Sequence, residues 1–190
     1  TQLKDWSNHK KRMPQLQSMP QIKIAESVLA PFGKQWQQLG GALSRTAPYS
    51  SGNLGEVFDR AVGEAFAKML GDVPIVSLGQ NNRLLIPQQP NCVEVGPFLV
   101  IGGVRPQHFD VGYRPDGVRF AFDSKTLNDA SSVKKNWQNM INDLATEATT
   151  VHSRFPNAIV AFMVIVPGPC ISGSRLAAMT GTLERLASRT

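Results

Sequence analysis

The chain of 190 residues predicts an α/β domain, a mixed central sheet flanked by helices and preceded by a helical extension. Three observations carry that prediction. Phe109 to Lys125 alternates apolar and polar side chains on either side of Asp116-Gly117, the pattern of a β-hairpin. Two apolar stripes at helical spacing bracket it: Leu54, Val57, Phe58, Ala61, Ala65, Phe66 and Met69 before, and Val133, Trp137, Met140, Ile141, Leu144, Ala148 and Val151 after. Ala158 to Val166 is nearly all apolar, as in a strand buried on both faces in the middle of a sheet.

Taken in order, Ile22 to Leu43 reads as helix in two pieces broken at Pro31-Phe32-Gly33, with Trp36 and Leu39 packed. A Pro/Ser/Gly link from Ala47 to Gly52 leads into the first core helix, capped by Asn53 or Ser51 and ended by Gly71. Asp72 to Leu78 and Arg83 to Pro87 read as short strands around the polar stretch Gly79-Gln80-Asn81-Asn82. Phe98 to Ile101 is a short apolar strand closed by Gly102-Gly103, and the hairpin follows. Asn128 to Ser132 is a capping cluster for the second core helix, which Pro156-Asn157 breaks. Ser174 to Ser188 is a final helix whose stripe of Leu176, Met179, Leu183 and Leu186 covers the sheet or pairs with a second subunit. One domain results: an extension over 1–52, a core over 53–166 and a C-terminal helix within 167–190.

The hairpin carries the chemistry. Asp-Gly favours a type I′ turn, whose two central residues both need positive φ. Centred there, the turn sets Asp110 opposite Asp123; a bend at Pro115-Asp116 makes the pair diagonal instead. Opposed residues have Cβ atoms about 5 Å apart and diagonal ones about 7–8 Å, so a shared cation is reachable either way. Phe109, Val111 and Tyr113 fall on one face, as do Val118, Phe120 and Phe122, leaving Asp110, Asp123 and Lys125 together on the other. Two carboxylates beside an ammonium suit a divalent metal with activated water; an exposed cross-strand ion pair is the plainer alternative.

This set of residues, and the order helix, three strands, helix, strand, resembles the PD-(D/E)xK nuclease superfamily, the restriction-endonuclease-like fold. Its signature is an acidic residue on one strand and Asp or Glu, any residue and Lys on the next. Asp110 takes the first place, with Phe109 where the family name has proline, and Asp123-Ser124-Lys125 the second. The literal Pro115-Asp116 falls at the turn, away from Asp123. The resemblance spans roughly residues 53 to 166 and implies an αβββαβ core. It implies Mg²⁺ held by Asp110, Asp123 and the Ser124 carbonyl. Lys125 positions and deprotonates the attacking water or stabilises the phosphorane-like transition state. It further implies an acid on the first core helix, best matched by Glu56, with Asp59 and Glu64 as alternatives. The implied activity is hydrolysis of double-stranded DNA by a type II restriction enzyme acting as a homodimer on a palindromic target. A structure-selective nuclease of the Holliday-junction resolvase or repair type is the alternative, followed by a non-catalytic DNA-binding module.

Composition is in keeping with that. A hydrophobic content of 42% with 18% charged residues is globular, and a net charge of +6 suits a polyanionic partner. Asn81, Asn82 and Arg83, with Gln80, Gln88, Gln89 and Asn91, are candidates for reading base edges, an ordinary polar loop being the alternative. Lys134 and Lys135, followed by Asn136 and Gln138, are candidates for DNA phosphate contacts or plain surface, and Lys10-Lys11-Arg12 for a basic arm or a solvated run. His108 reads as a hydrogen-bonding neighbour of Asp110. With three histidines and no paired cysteines, a zinc or ββα-metal nuclease is a poor match, and no phosphate-binding GxxxxGK motif is present. Cys92 and Cys170 read as buried apolar groups, favouring a reducing, cytoplasmic setting. The polar N-terminal stretch lacks the pattern of a signal peptide, and the longest apolar run is too short to cross a membrane as a helix.

Overall fold

The computed structural model describes residues 20–46, 48–79 and 84–188. Its elements are the helices α1 (Glu26–Gln38), α2 (Ser51–Met69), α3 (Ala130–His152) and α4 (Gly173–Ala187), and the strands β1 (Ile75–Ser77), β2 (Val93–Ile101), β3 (Pro106–Tyr113), β4 (Phe120–Thr126) and β5 (Ile159–Ile165). The strands form one open mixed sheet in the order β1-β2-β3-β4-β5. The outer pairs β1–β2 and β4–β5 are parallel, and the two inner pairs are antiparallel. The chain is therefore α/β, with helices on both faces of the sheet.

Alternation along β4 separates the two cores. Phe120 and Phe122 pack with Val62 and Ala67 of α2, and with Val93 and Val111. Ala121 points the other way, to Phe98, Val100, Phe109 and Val151 of α3. Phe66 of α2 stacks on Phe120 with ring centroids 4.0 Å apart, which fixes the helix over the middle of the sheet. A third cluster joins α3 to α4 through Val133, Met140, Ile141 and Met179, with Leu183 and Leu186 against it. α4 thus covers α3 and the end of β5, while Leu176 of its stripe is exposed.

The helix ends follow local chemistry. Ser50, and not the expected Ser51 or Asn53, caps α2 by accepting from Asn53 N at 3.2 Å. Asp129 caps α3 by accepting from Ser132 N at 2.8 Å. The N-terminal helix is one piece, not two: Pro31 lies inside α1. Its missing N–H frees the carbonyl of Ser27, an exposed residue where water can take the place of the lost donor.

Three strand expectations change. β2 begins at Val93, well before Phe98, and runs through Gly96-Pro97 by means of a bulge. The expected strand near Arg83–Pro87 is absent from its described part, 84–87, where exposed Leu85 and Ile86 form bends. Among the described residues β5 lies at the edge of the sheet, pairing only with β4, and is not central. Its apolar composition has another cause. Val160 and Phe162 meet the core under α3 while Ala161 and Met163 meet the core under α2, so both faces are covered although among the described residues no strand pairs with its outer edge.

Candidate active site

The site is built where β3 and β4 part. Their ladder runs from Tyr113–Phe120 to Val111–Phe122 and stops. One step further, in the register centred on Asp116-Gly117, Asp110 comes level with Asp123, and the two carboxyl groups are near enough that each shifts the pKa of the other. The turn itself is not type I′. Only Gly117 has positive φ, at 118°, and Asp116 instead grips Arg119 through two bonds of 2.7 and 2.6 Å. The longer loop keeps the two-residue register because Arg119 N still bonds Tyr113 O at 3.0 Å.

A β-bulge aims Asp110. Val95 pairs with Val111 and Phe98 with Phe109, so Gly96 and Pro97 of β2 together face Asp110 alone. The extra residue twists β3, and the simple alternation of its faces fails there. Phe109 joins the core under α3 while Val111 and Tyr113 join the core under α2; Val118, in the turn, also goes to the α3 side. Gly96 makes the bulge possible, with φ of 114° and a would-be Cβ only 2.7 Å from the Leu78 carbonyl oxygen. Gly96→Ala is expected to cost about 2–4 kcal/mol, from backbone strain plus overpacking. Urea unfolding measures this, and a variant as stable as the parent would remove the bulge from the account.

Asp110 is half-buried and Asp123 buried. Asp110 accepts a hydrogen bond from Ser124 N at 3.1 Å. On its α2 side the site opens to a cavity of about 530 Å³ bordered by Glu56, Asp59, Asp110 and Ser124. Asp59 is the α2 acid closest to the chemistry. It is buried near the Ser124 side chain, and its Oδ1 has no hydrogen-bond partner among the described residues. Glu56, the preferred sequence candidate, is exposed at the rim of the same cavity, and Glu64 is exposed further along α2 in an ion pair with Arg60.

The carboxyl groups repel one another in poor contact with water. Burial first, then the Asp110 charge, pushes Asp59 up to about 7. Burial, then the hydrogen bond and charge of Asp123, pushes Asp110 up to about 7, and burial raises Asp123 as well. Burial pulls the Lys125 ammonium down, but hydrogen bonds and attraction from Asp123 and Glu147 outweigh it and leave the pKa above that of an ordinary lysine. Lys125 is thus a fixed cation. It forms an ion pair with Asp123 and donates to Glu147 Oε1 at 3.0 Å. Its side chain borders a second recess, toward α3, with Asn136, Asn139 and Asp143.

Among the described residues no trio of His, Cys, Asp and Glu side chains closes on a metal by itself. The donor set still suits Mg²⁺, which needs only one or two carboxylates when water and substrate phosphate complete its octahedron. Asp110 and Asp123 are such a pair, and Asp59, whose Oδ1 has no hydrogen-bond partner among the described residues, lies near Asp110.

A pH dependence follows. Carboxyl groups raised from 3.8 to about 7 stabilise the cation-free fold when protonated; that contribution is full below about pH 4 and is lost as pH rises through about 7. A divalent cation binds the deprotonated form. Millimolar Mg²⁺ is therefore expected to raise the melting temperature at about pH 8 and to do little at about pH 5.5. Equal shifts at both values, or none at the higher, would contradict a cation at these carboxylates.

The other candidates divide. Lys134 and Lys135 are exposed on the first turns of α3. Asn81, Asn82 and Arg83 lie outside the described residues, as does the Lys10-Lys11-Arg12 run. His108 is exposed on β3 and makes no side-chain hydrogen bond among the described residues, so it is not a neighbour that supports Asp110. Cys92 and Cys170 are buried as free thiols. Among the described residues no helix is long and apolar enough to cross a membrane. Glu147 and Gln107 were not legible as site residues: their partners lie far away in sequence, and no local pattern marks them. No protein-family model, curated protein or solved structure matches the chain.

Proposed function

We propose that this chain is a Mg²⁺-dependent endonuclease of the restriction-endonuclease-like class that hydrolyses phosphodiesters of double-stranded DNA, acting site-specifically in the manner of type II restriction enzymes. The observation that carries the reading is the meeting of Asp110, Asp123 and Lys125 where β3 and β4 part, beside an open cavity. The succession α2, β2, β3, β4, α3, β5, with the three-residue β1 inserted after α2, supports it, since it contains the order of the αβββαβ core.

Asp110, Asp123 and the Ser124 carbonyl would hold the ion, with Asp59 or Glu56 as a further acid. Bound there, Mg²⁺ supplies Lewis acidity and lowers the pKa of its water. The permanent charge of Lys125 favours stabilisation of the negative charge that grows on the phosphate over proton abstraction. Lys134 and Lys135 serve as phosphate contacts on the helix after the site, within a chain of net charge +6. One site per chain and two strands to cut make a homodimer the working form.

Incubation with plasmid and genomic DNA, with Mg²⁺ or with EDTA, tests the proposal. Discrete fragments that need the cation are expected. Cutting confined to branched substrates would replace restriction by junction resolution, and binding without cutting would reduce the chain to a DNA-binding module.

A further inference from the structure

We infer that Glu147 is a positioning residue that holds the Lys125 ammonium at its working place, an inference that rests on the nuclease reading. Glu147 lies on α3, its side chain only 4% exposed. Its Oε1 accepts two hydrogen bonds, from Lys125 Nζ at 3.0 Å and from Gln107 Nε2 at 2.9 Å, while Oε2 has no hydrogen-bond partner among the described residues. Gln107 lies on β3 three residues before Asp110, and Lys125 on β4 two residues after Asp123. One carboxylate thus ties together both strands that carry the acids and the helix packed behind them.

Lysine is a flexible chain with a point charge at its end, and its placement has to come from its partners. Here it has two, Asp123 and Glu147. A divalent cation at Asp123 competes with the ammonium for the same carboxylate and repels it. Glu147, which reaches Lys125 from the opposite element, is the anchor that remains. The double load on Oε1 fixes that oxygen, because Gln107 holds it from the strand of Asp110.

Two conservative variants separate this role from simple charge balance in the core. Glu147→Gln keeps an acceptor oxygen at the same reach and loses the charge. Glu147→Asp keeps the charge and withdraws the oxygen by one methylene. Positioning predicts that Gln is tolerated and Asp is not; a counter-ion role predicts the reverse. The first readout is the ¹H–¹⁵N cross-peak of the Lys125 ammonium in the full chain without cation or DNA, identified by its loss in Lys125→Arg. It is expected to persist in Glu147→Gln and to vanish by rapid exchange in Glu147→Asp. Persistence in Asp, or loss in Gln, would overturn the inference and leave the nuclease reading untouched. The second readout is Mg²⁺-dependent plasmid cleavage. There Glu147→Asp is expected to lower kcat about 10²-fold with little change in KM, and Glu147→Gln by less than about tenfold. The opposite ranking would reduce Glu147 to a counter-ion. An unmodified chain that cuts no DNA would sink the nuclease reading, and the catalytic part of this inference with it, even where the ammonium signal behaves as expected.

Discussion

Asp123→Asn is expected to reduce Mg²⁺-dependent cleavage of duplex DNA by about 10³-fold or more while the chain stays folded. Loss of a single preorganised charge-stabilising group costs about 10²–10³-fold, and loss of acid–base or positioning help about 10²–10⁴-fold. Asp123 stands at the junction of both. It lies near Asp110 on one side and is ion-paired with Lys125 on the other. The amide is the right replacement because it has the same shape and can still accept from Lys125. It also removes the Asp123 charge that adds to burial in raising Asp110, so the fold should not suffer at neutral pH. Lys125→Met is expected to abolish cutting as well, but with a penalty in stability, since it strands buried Glu147 without its cation. Rates are measured under single-turnover conditions, with melting temperatures as the control for folding. Full cleavage by Asp123→Asn would remove the mechanism altogether.

Arg114→Met is expected to be the most destabilising single change away from the site, at about 3–5 kcal/mol. Arg114 and Glu94 form a buried, two-pronged ion pair, with bonds of 2.6 Å from Nε and 2.8 Å from Nη2. The same guanidinium donates to the carbonyls of Leu84 and Leu99, at 3.2 and 3.3 Å, and lies 4.8 Å from the Phe98 ring centroid. It thereby fastens the start of the β3–β4 turn to β2 and to the segment before it. Methionine fills much of the volume but leaves the Glu94 charge buried without its cation. The loss is a large part of the roughly 5–15 kcal/mol that holds a typical domain together. In the double variant Glu94→Gln/Arg114→Met no charge is stranded, and the cost should fall below that of Arg114→Met. Chemical denaturation decides it: a single variant within about 1 kcal/mol of the parent would show that the pair contributes little.

What could be read from the residues was whatever local patterning encodes. The stripes that became α2 and α3, the alternation of the hairpin and the register that sets Asp110 against Asp123 all depend on neighbours a few residues apart. So does the apolar character of β5. The turn type did not follow, because the Asp116–Arg119 ion pair offers a longer loop that keeps the same register. Pro31 looked like a break and is not, since it lies where water can serve the freed carbonyl; β2 reaches back beyond the expected Phe98 because a bulge absorbs Gly96-Pro97.

The rest needed the packed chain. That bulge redirects Asp110 toward α2, and it exists only where β1, β2 and β3 meet. The depth of Asp59, the edge position of β5, the Glu94–Arg114 pair and the hold of Glu147 on Lys125 are contacts between distant segments. By itself the sequence determined which residues carry charge and on which element they ride. Only the tertiary structure decided which of those charges lose their water and face one another, because desolvation and Coulomb energy depend on separation in space and not along the chain.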